Sequence, residues 1–208
     1  ISLLSKGEST LGGKDLWIDE SVGKLNFESR GRYLGKFDSS DTLLCVKNDG
    51  TYSNISIDLN LRFKLNDILI LEKFSSDLII SCMYYDSSIK INYIKRFIIE
   101  TSTLDKEFHF LDENSSMRLL LVTLNEGSIF KFNYHSVSGR KKTKEIDVDG
   151  FVGVKGWKSI GNKVPQYKRM SAYEILESDA DKIETHNKEE KLDISSDNPD
   201  SDTLNLFE

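Results

Sequence analysis

Apolar and polar residues alternate along most of this chain in short runs, a period of two that predicts strands rather than helices. The stretch "LLCVKNDGTYSNISI" predicts a hairpin, because two such runs flank Asn48-Asp49-Gly50 and Asp-Gly supplies the positive φ of a tight turn. "RLLLVTLNEGSIFKFNY" repeats the pattern around Asn125-Glu126-Gly127. "LIISCMYYDSSIKINYIKRFIIE" is a longer version turning at Asp86-Ser87-Ser88, and "FVGVKGWKSIGNKV" a fourth with Gly161-Asn162 at its turn. The first strands begin near Leu43, Ile79, Leu119 and Val152, a spacing of roughly 35–40 residues, within the range of propellers and other repeat arrays. A single hairpin is marginal in water, so each unit must lean on its neighbours. No helix of ordinary length is expected in the body. "YEILESDADKIE", around residues 173–184, predicts one short helix leading into the tail.

Within this pattern "INYIKRFIIE", residues 91–100, poses a problem, since it sets Lys95 beside Arg96 in the middle of a strand. Adjacent strand residues point to opposite faces, so both cations cannot be fully outward in a regular strand. A bulge, an edge position or a snorkelling stem would lift them to solvent. Two readings stay open on the residues alone: a phosphate-contacting pair, or a solubilising edge.

Composition changes the picture at the C-terminal end. Residues 174–208 hold twelve Asp/Glu against three Lys, a net of −9, whereas residues 1–173 carry 25 basic and 22 acidic side chains, a net of +3. From about Ser178 onward the sequence has few large apolar residues, which predicts a disordered acidic tail over 177–208. Leu204, Leu206 and Phe207 are the exception: they read either as a loose end, the plainer alternative, or as a docking point. A mildly basic body with an acidic tail points to an anionic partner and an internal mimic of it. No run reaches the roughly 18 apolar residues of a membrane span. The start has neither the pattern of a signal peptide nor an initiator Met, so we expect a piece of a longer chain. Cys45 and Cys82 sit inside apolar runs and read as buried free thiols. His109, His135 and His186 are too scattered for a metal or catalytic site, and no nucleotide-binding loop or nucleophile–base arrangement is visible.

The repeating unit is an apolar strand, a polar or Gly-containing turn, then a strand bearing Lys or Arg, clearest in "YIKRF" and "IFKFNY". Three longer phrases, "GGKDLWIDESVGKLNFESRGRYLGKF" at 12–37, "YIKRFIIE" at 93–100 and "VKGWKSIGNKV" at 154–164, sharpen the pattern. Together they resemble the C-terminal domain of the A subunit of bacterial type IIA DNA topoisomerases, gyrase and topoisomerase IV, especially topoisomerase IV of the Bacteroidetes lineage. The resemblance spans residues 1–176.

It implies an all-β pinwheel, propeller-like, with strands exchanged between adjacent blades and duplex DNA bent around a basic rim. The length allows about four hairpin blades, a partial ring. It implies a cytoplasmic, nucleoid-associated protein with no membrane partner. A topoisomerase B subunit, reached through the rest of the A chain, would be its protein partner. No cofactor is expected in this part; ATP and Mg belong to the whole enzyme. No catalytic residue is expected either, since the tyrosine-bearing winged-helix domain has no counterpart here. The glutamine-arginine-glycine-rich box of tightly wrapping gyrases is also missing, which favours topoisomerase IV or a gyrase-like subunit with weak wrapping.

On this resemblance Lys95 and Arg96 become rim candidates. The densest basic cluster, Arg140, Lys141, Lys142 and Lys144 in "SGRKKTKE", is expected in a loop between strands. Lys155, Lys158 and Lys163 interleave with glycines that let backbone approach a phosphate; Lys168 and Arg169 follow, and Arg30 and Arg32 flank Gly31. Each cation has a plainer alternative as an ordinary ion pair. No recognition helix or zinc-finger spacing is present, so binding should track the phosphate backbone and bendability. Trp17, Trp157, Phe37, Phe74, Phe97, Phe130 and Phe132 are expected in the core or between units. The competing reading is a propeller-type protein-interaction module with no DNA role.

Overall fold

The computed structural model describes residues 13–100, 103–112 and 116–177. The expected tail and most of the expected helix at 173–184 lie outside these residues. In chain order the strands are β1 (Lys14–Asp19), β2 (Lys24–Asn26), β3 (Arg32–Phe37), β4 (Thr42–Lys47), β5 (Thr51–Ser56), β6 (Ile68–Lys73), β7 (Ile79–Asp86) and β8 (Ile91–Ile98). They continue as β9 (Glu107–His109), β10 (Met117–Thr123), β11 (Ile129–His135), β12 (Lys141–Asp147), β13 (Val154–Gly156), β14 (Asn162–Lys163) and β15 (Lys168–Leu176). Among the described residues the only helical pieces are a 3-10 turn at Leu65–Asp67 and one α-helical turn, α1 (Val148–Phe151).

Pairing gathers the strands into four small sheets, ordered β2-β1-β3, β6-β4-β5-β9, β10-β7-β8-β13 with β14 also on β8, and β12-β11-β15. The pairing is antiparallel except for β13 on β8. One rule builds all four. A hairpin forms first: β1–β2, β4–β5, β7–β8, β11–β12. A third strand then covers the free side of the hairpin's first strand, as β3, β6, β10 and β15 do. In the first three sheets a fourth segment covers the second strand only after the next hairpin has been made. Thus β9 returns to β5 after β7–β8, and β13 and β14 return to β8 after β11–β12. In the first sheet the returning segment is short: Arg62 bridges Lys24, and Phe63 N donates to Gly23 O at 2.8 Å.

Alternation then places the core between sheets. One apolar cluster joins the first and second sheets through Leu16, Ile18, Phe37, Leu43 and Cys45. Another joins second and third through Leu44, Val46, Tyr52, Cys82, Tyr93 and Phe97, and a last joins third and fourth through Met83, Ile94, Phe130 and Phe132. Odd residues of β8 face one cluster and even residues the other, so the inner sheets are buried on both faces, whereas an end sheet has one free face.

The hairpins at Asn48-Asp49-Gly50 and Asp86-Ser87-Ser88 form as expected. Asp49 Oδ1 accepts from Thr51 N at 3.0 Å, and Gly50 takes φ 84°, where only glycine is unstrained. Asp86 closes the second turn by accepting from Ser88 N at 2.9 Å, and the Ser88 hydroxyl holds its carboxyl below the usual range. The other two expected hairpins are corrected. β10 and β11 flank Asn125-Glu126-Gly127 but belong to different sheets. β13 and β14 both pair with β8, not with each other. Periodicity identifies a strand, but its partner is set by which apolar face must be covered. The expected helix is corrected as well: Tyr173–Leu176 end β15, paired to β11 through Ile175 and Leu176. Cys45 and Cys82 are buried and free. Among the described residues no helix is long and apolar enough to cross a membrane.

Candidate nucleic-acid interface

The two cations of "YIKRF" are not on a rim. Lys95 is 2% exposed and Arg96 7%. Both sit on a paired inner strand, with β7 on one side and β13 and β14 on the other, so the expectation of an outward edge fails. Each side chain instead enters one of the two cores. Lys95 Nζ donates to the carbonyls of Phe110 and Trp157, both at 2.7 Å, and lies 4.8 Å from the Phe97 ring centroid. Burial lowers its pKa. On the opposite face Arg96 Nη2 pairs with Asp149 Oδ2 at 3.1 Å, tying the third sheet to the turn that leaves the fourth. A buried cation survives only when hydrogen-bonded or paired, and here the Lys95–Phe110 and Arg96–Asp149 contacts cross between structural units.

Arg30 and Arg32 are exposed but engaged. Asn26 builds their loop: its Oδ1 accepts from Glu28 N and Arg30 N, both at 3.1 Å, and its Nδ2 donates to Arg30 O at 2.9 Å. Arg30 pairs with Glu28 at 2.9 Å, and Arg32 with Glu20 at 3.4 Å and Glu72 at 3.3 Å. These two arginines belong to the first sheet, at the far end of the stack from the remaining candidates.

The fourth sheet is different. Lys141, Lys142 and Lys144 lie in β12 rather than in a loop, a correction to the sequence expectation, and Arg140 directly precedes it. In register, His135 of β11 stands opposite Lys141 on one side and Lys168 of β15 on the other. Cross-strand partners share a face, so Lys141, His135 and Lys168 make a row on the face turned away from the Phe130–Phe132 core. Sequence reading set His135 aside as isolated; the register that places it between two lysines is not visible without the sheet.

β15 carries two one-residue bulges against β11, since His135↔Lys168, Asn133↔Ser171 and Lys131↔Glu174 oppose three residues to two each time. Arg169 (φ 52°) and Ala172 (φ 50°) absorb them in the left-handed region. A bulge re-aims a side chain, and Arg169 is exposed. Lys155, Lys158 and Lys163 are exposed on the returning segment of the third sheet. Val164 N donates to Asn92 O at 2.8 Å, and Asn92 Nδ2 contacts Met170 Sδ at 3.1 Å, so Lys163 and Arg169 each adjoin a residue held by Asn92. Among the described residues none of Arg140, Lys141, Lys142, Lys144, Lys155, Lys158, Lys163, Lys168 and Arg169 forms an ion pair. The structure thus separates the candidates into three groups: two buried, two neutralised at one end, and nine exposed on the third and fourth sheets.

Trp157 packs edge-on against Tyr52 and Phe108, at 5.9 and 6.1 Å between ring centroids, in the inter-sheet role expected of it. Phe37, Phe97, Phe130 and Phe132 are buried. No group of His, Cys, Asp and Glu suited to a metal occurs among the described residues.

A family model described as Topoisomerase C-terminal domain, Bacteroidota, matches residues 24–176. No curated protein matches the chain, and no solved structure does. The matched residues reach into all four sheets and make up most of the sequence, so the chain belongs to the topoisomerase C-terminal domain family of Bacteroidota.

Proposed function

We propose that this domain binds duplex DNA along its phosphates and bends it toward the catalytic gate of a type IIA topoisomerase, as the C-terminal pinwheel of a gyrase-like or topoisomerase IV A subunit. Supporting the pinwheel reading is the interleaving itself, in which each of the first three sheets borrows its last segment from beyond the next hairpin. The observation that carries DNA binding is the set of nine exposed cations on the third and fourth sheets, free of ion pairs among the described residues and ordered by the Lys141–His135–Lys168 row. Cations free of carboxylates release counterions when they meet phosphate, which supplies affinity without reading bases. ATP hydrolysis falls to a partner B subunit and strand cleavage to another part of the A subunit. The domain acts at the nucleoid by choosing which DNA segment is presented.

Fluorescence anisotropy on unrelated duplexes over a salt series tests this. Expected is sequence-indifferent binding whose log K falls with log salt at a slope of about −0.9 per phosphate contacted, near −5 if six cations engage. Absence of binding at 50 mM salt would favour a protein-interaction module instead.

A further inference from the structure

Two bulges decide which residue of β15 stands beside His135. From the Lys131↔Glu174 pair, unbroken alternation would set Ala172 opposite Asn133 and Met170 opposite His135. The one-residue insertions shift the strand twice, so that Ser171 stands opposite Asn133 and Lys168 opposite His135. Met170 and Tyr173 instead pack on the core between the third and fourth sheets. The arrangement holds two non-glycine residues, Arg169 and Ala172, in the disfavoured left-handed region.

The free face of the fourth sheet is thereby graded along its strands. Its first row, Lys141–His135–Lys168, is cationic. The next, Thr143–Asn133–Ser171, is neutral, with Thr143 Oγ1 donating to Asn133 Oδ1 at 2.9 Å. The third, Glu145–Lys131–Glu174, is acidic: two exposed carboxylates flank one lysine, which pairs with Glu174 at 2.9 Å. His135 and Lys131 are four residues apart on one strand, which separates the cationic and acidic rows by about 14 Å. The cationic row also continues past both its ends. Arg140 and Lys142 flank Lys141, and Arg169 follows Lys168. Asn92 ties that second corner to the third sheet, since Nδ2 contacts Met170 Sδ at 3.1 Å and its carbonyl accepts from Val164 N, next to Lys163, at 2.8 Å. At the centre of the row His135 Nδ1 is buried with no hydrogen-bond partner among the described residues. A buried polar atom left unpaired calls for a role outside the sheet's own bonding.

We propose that duplex DNA crosses the fourth sheet at right angles to its strands, with its phosphates along Lys141–His135–Lys168 and onward by Arg169 to Lys163 of the third sheet, and that His135 is a further phosphate contact. This rests on the DNA binding proposed above and adds a path to it. A duplex laid lengthwise along the strands would bring phosphates over Glu145 and Glu174, which repel them. A crossing duplex meets only cations and neutral hydrogen-bonding side chains. At physiological salt the Debye length is about 8 Å, so carboxylates about 14 Å from the cationic row are largely screened from a crossing path. The bulges gain a purpose in this arrangement: they draw Lys168 into the row in place of Met170.

The test is duplex binding by variants of the 208-residue chain, followed by fluorescence anisotropy, with circular dichroism to confirm that each variant folds. Lys168→Ala should reduce the salt slope by about 1. His135→Ala should weaken binding by about threefold or more, and His135→Gln, which keeps an N–H donor, should recover most of that loss. Should His135→Ala fail to fold, Lys141→Ala on the exposed edge strand carries the same test through the slope. The double variant E145Q/E174Q should change affinity by less than about twofold at 150 mM salt. A gain of about tenfold there would place the duplex along the strands and overturn the crossing path. Unchanged affinity and slope in both Lys168→Ala and His135→Ala overturns it as well; if Lys155→Ala still weakens binding, the DNA reading itself stands. A parent chain that binds no duplex at 50 mM salt overturns both.

Discussion

Lys95 Nζ lies 2.7 Å from the carbonyl oxygen of Phe110, so a cation of the third sheet is anchored to the segment that completes the second. The same ammonium holds Trp157 O, on the third sheet's own returning segment. Lys95→Ala leaves two carbonyls without their donor inside a core. We expect it to lower stability by about 3 kcal/mol, read as a fall in the urea midpoint at unchanged m. The DNA salt slope of the folded variant should match that of the parent, which separates a structural lysine from a phosphate contact.

Buried thiols give the fold an alkaline limit. Burial pushes the Cys45 thiol up from 9.0 to about 11 and the Cys82 thiol to about 12. A thiol in the unfolded chain ionises near pH 9, so the stabilisation from keeping both neutral is complete below pH 9 and is lost as pH rises toward those higher values. Lys95 acts with the opposite sign: its lowered pKa penalises the fold at low pH, and the penalty lifts as pH approaches 10.5. The urea midpoint measured from pH 8 to 11 should fall above pH 9. That fall should be shallower in Cys82→Ala and steeper in Lys95→Met.

Gly161 takes φ 91°, and a Cβ there would lie 2.3 Å from Ile94 O. It is the residue that lets β14 turn onto β8. Gly161→Ala should cost about 2 kcal/mol from left-handed strain alone, and more from the clash with Ile94 O. Thermal unfolding followed by circular dichroism reads this directly.

Exposed cations should divide by their partners. Arg32 is shared between Glu20 and Glu72, so Arg32→Ala should change stability by less than about 1 kcal/mol and leave duplex affinity nearly unchanged. Lys142→Ala removes a cation with no carboxylate partner among the described residues. It should weaken binding to all sequences alike and reduce the salt slope by about 1. Equal effects from the two substitutions would count against the fourth sheet as the contact surface.

Much of this was legible in the sequence, and the limit was physical. The period of two marked strands from β4 through β11, and Asp49-Gly50 fixed one turn, because both are local properties. Pairing is not local: "RLLLVTLNEGSIFKFNY" reads as a hairpin, yet its halves serve different sheets because each must cover a hairpin made elsewhere. The same blindness misplaced Lys95 and Arg96. A strand paired on both sides and packed on both faces has no outward direction, and nothing within "YIKRF" records that β13 and β14, some sixty residues later, will close over it. β12, by contrast, read as a loop because its run of lysines hides the alternation that its neighbours display.

Interleaving has a consequence for how such a chain emerges from a ribosome. None of the first three sheets is finished when its own hairpin is made; each waits for its successor to be synthesised and then receives a closing segment from downstream. Assembly is therefore directional, with one unfinished border that moves toward the C-terminus as translation proceeds, and a chain stopped early always stops with a sheet left open.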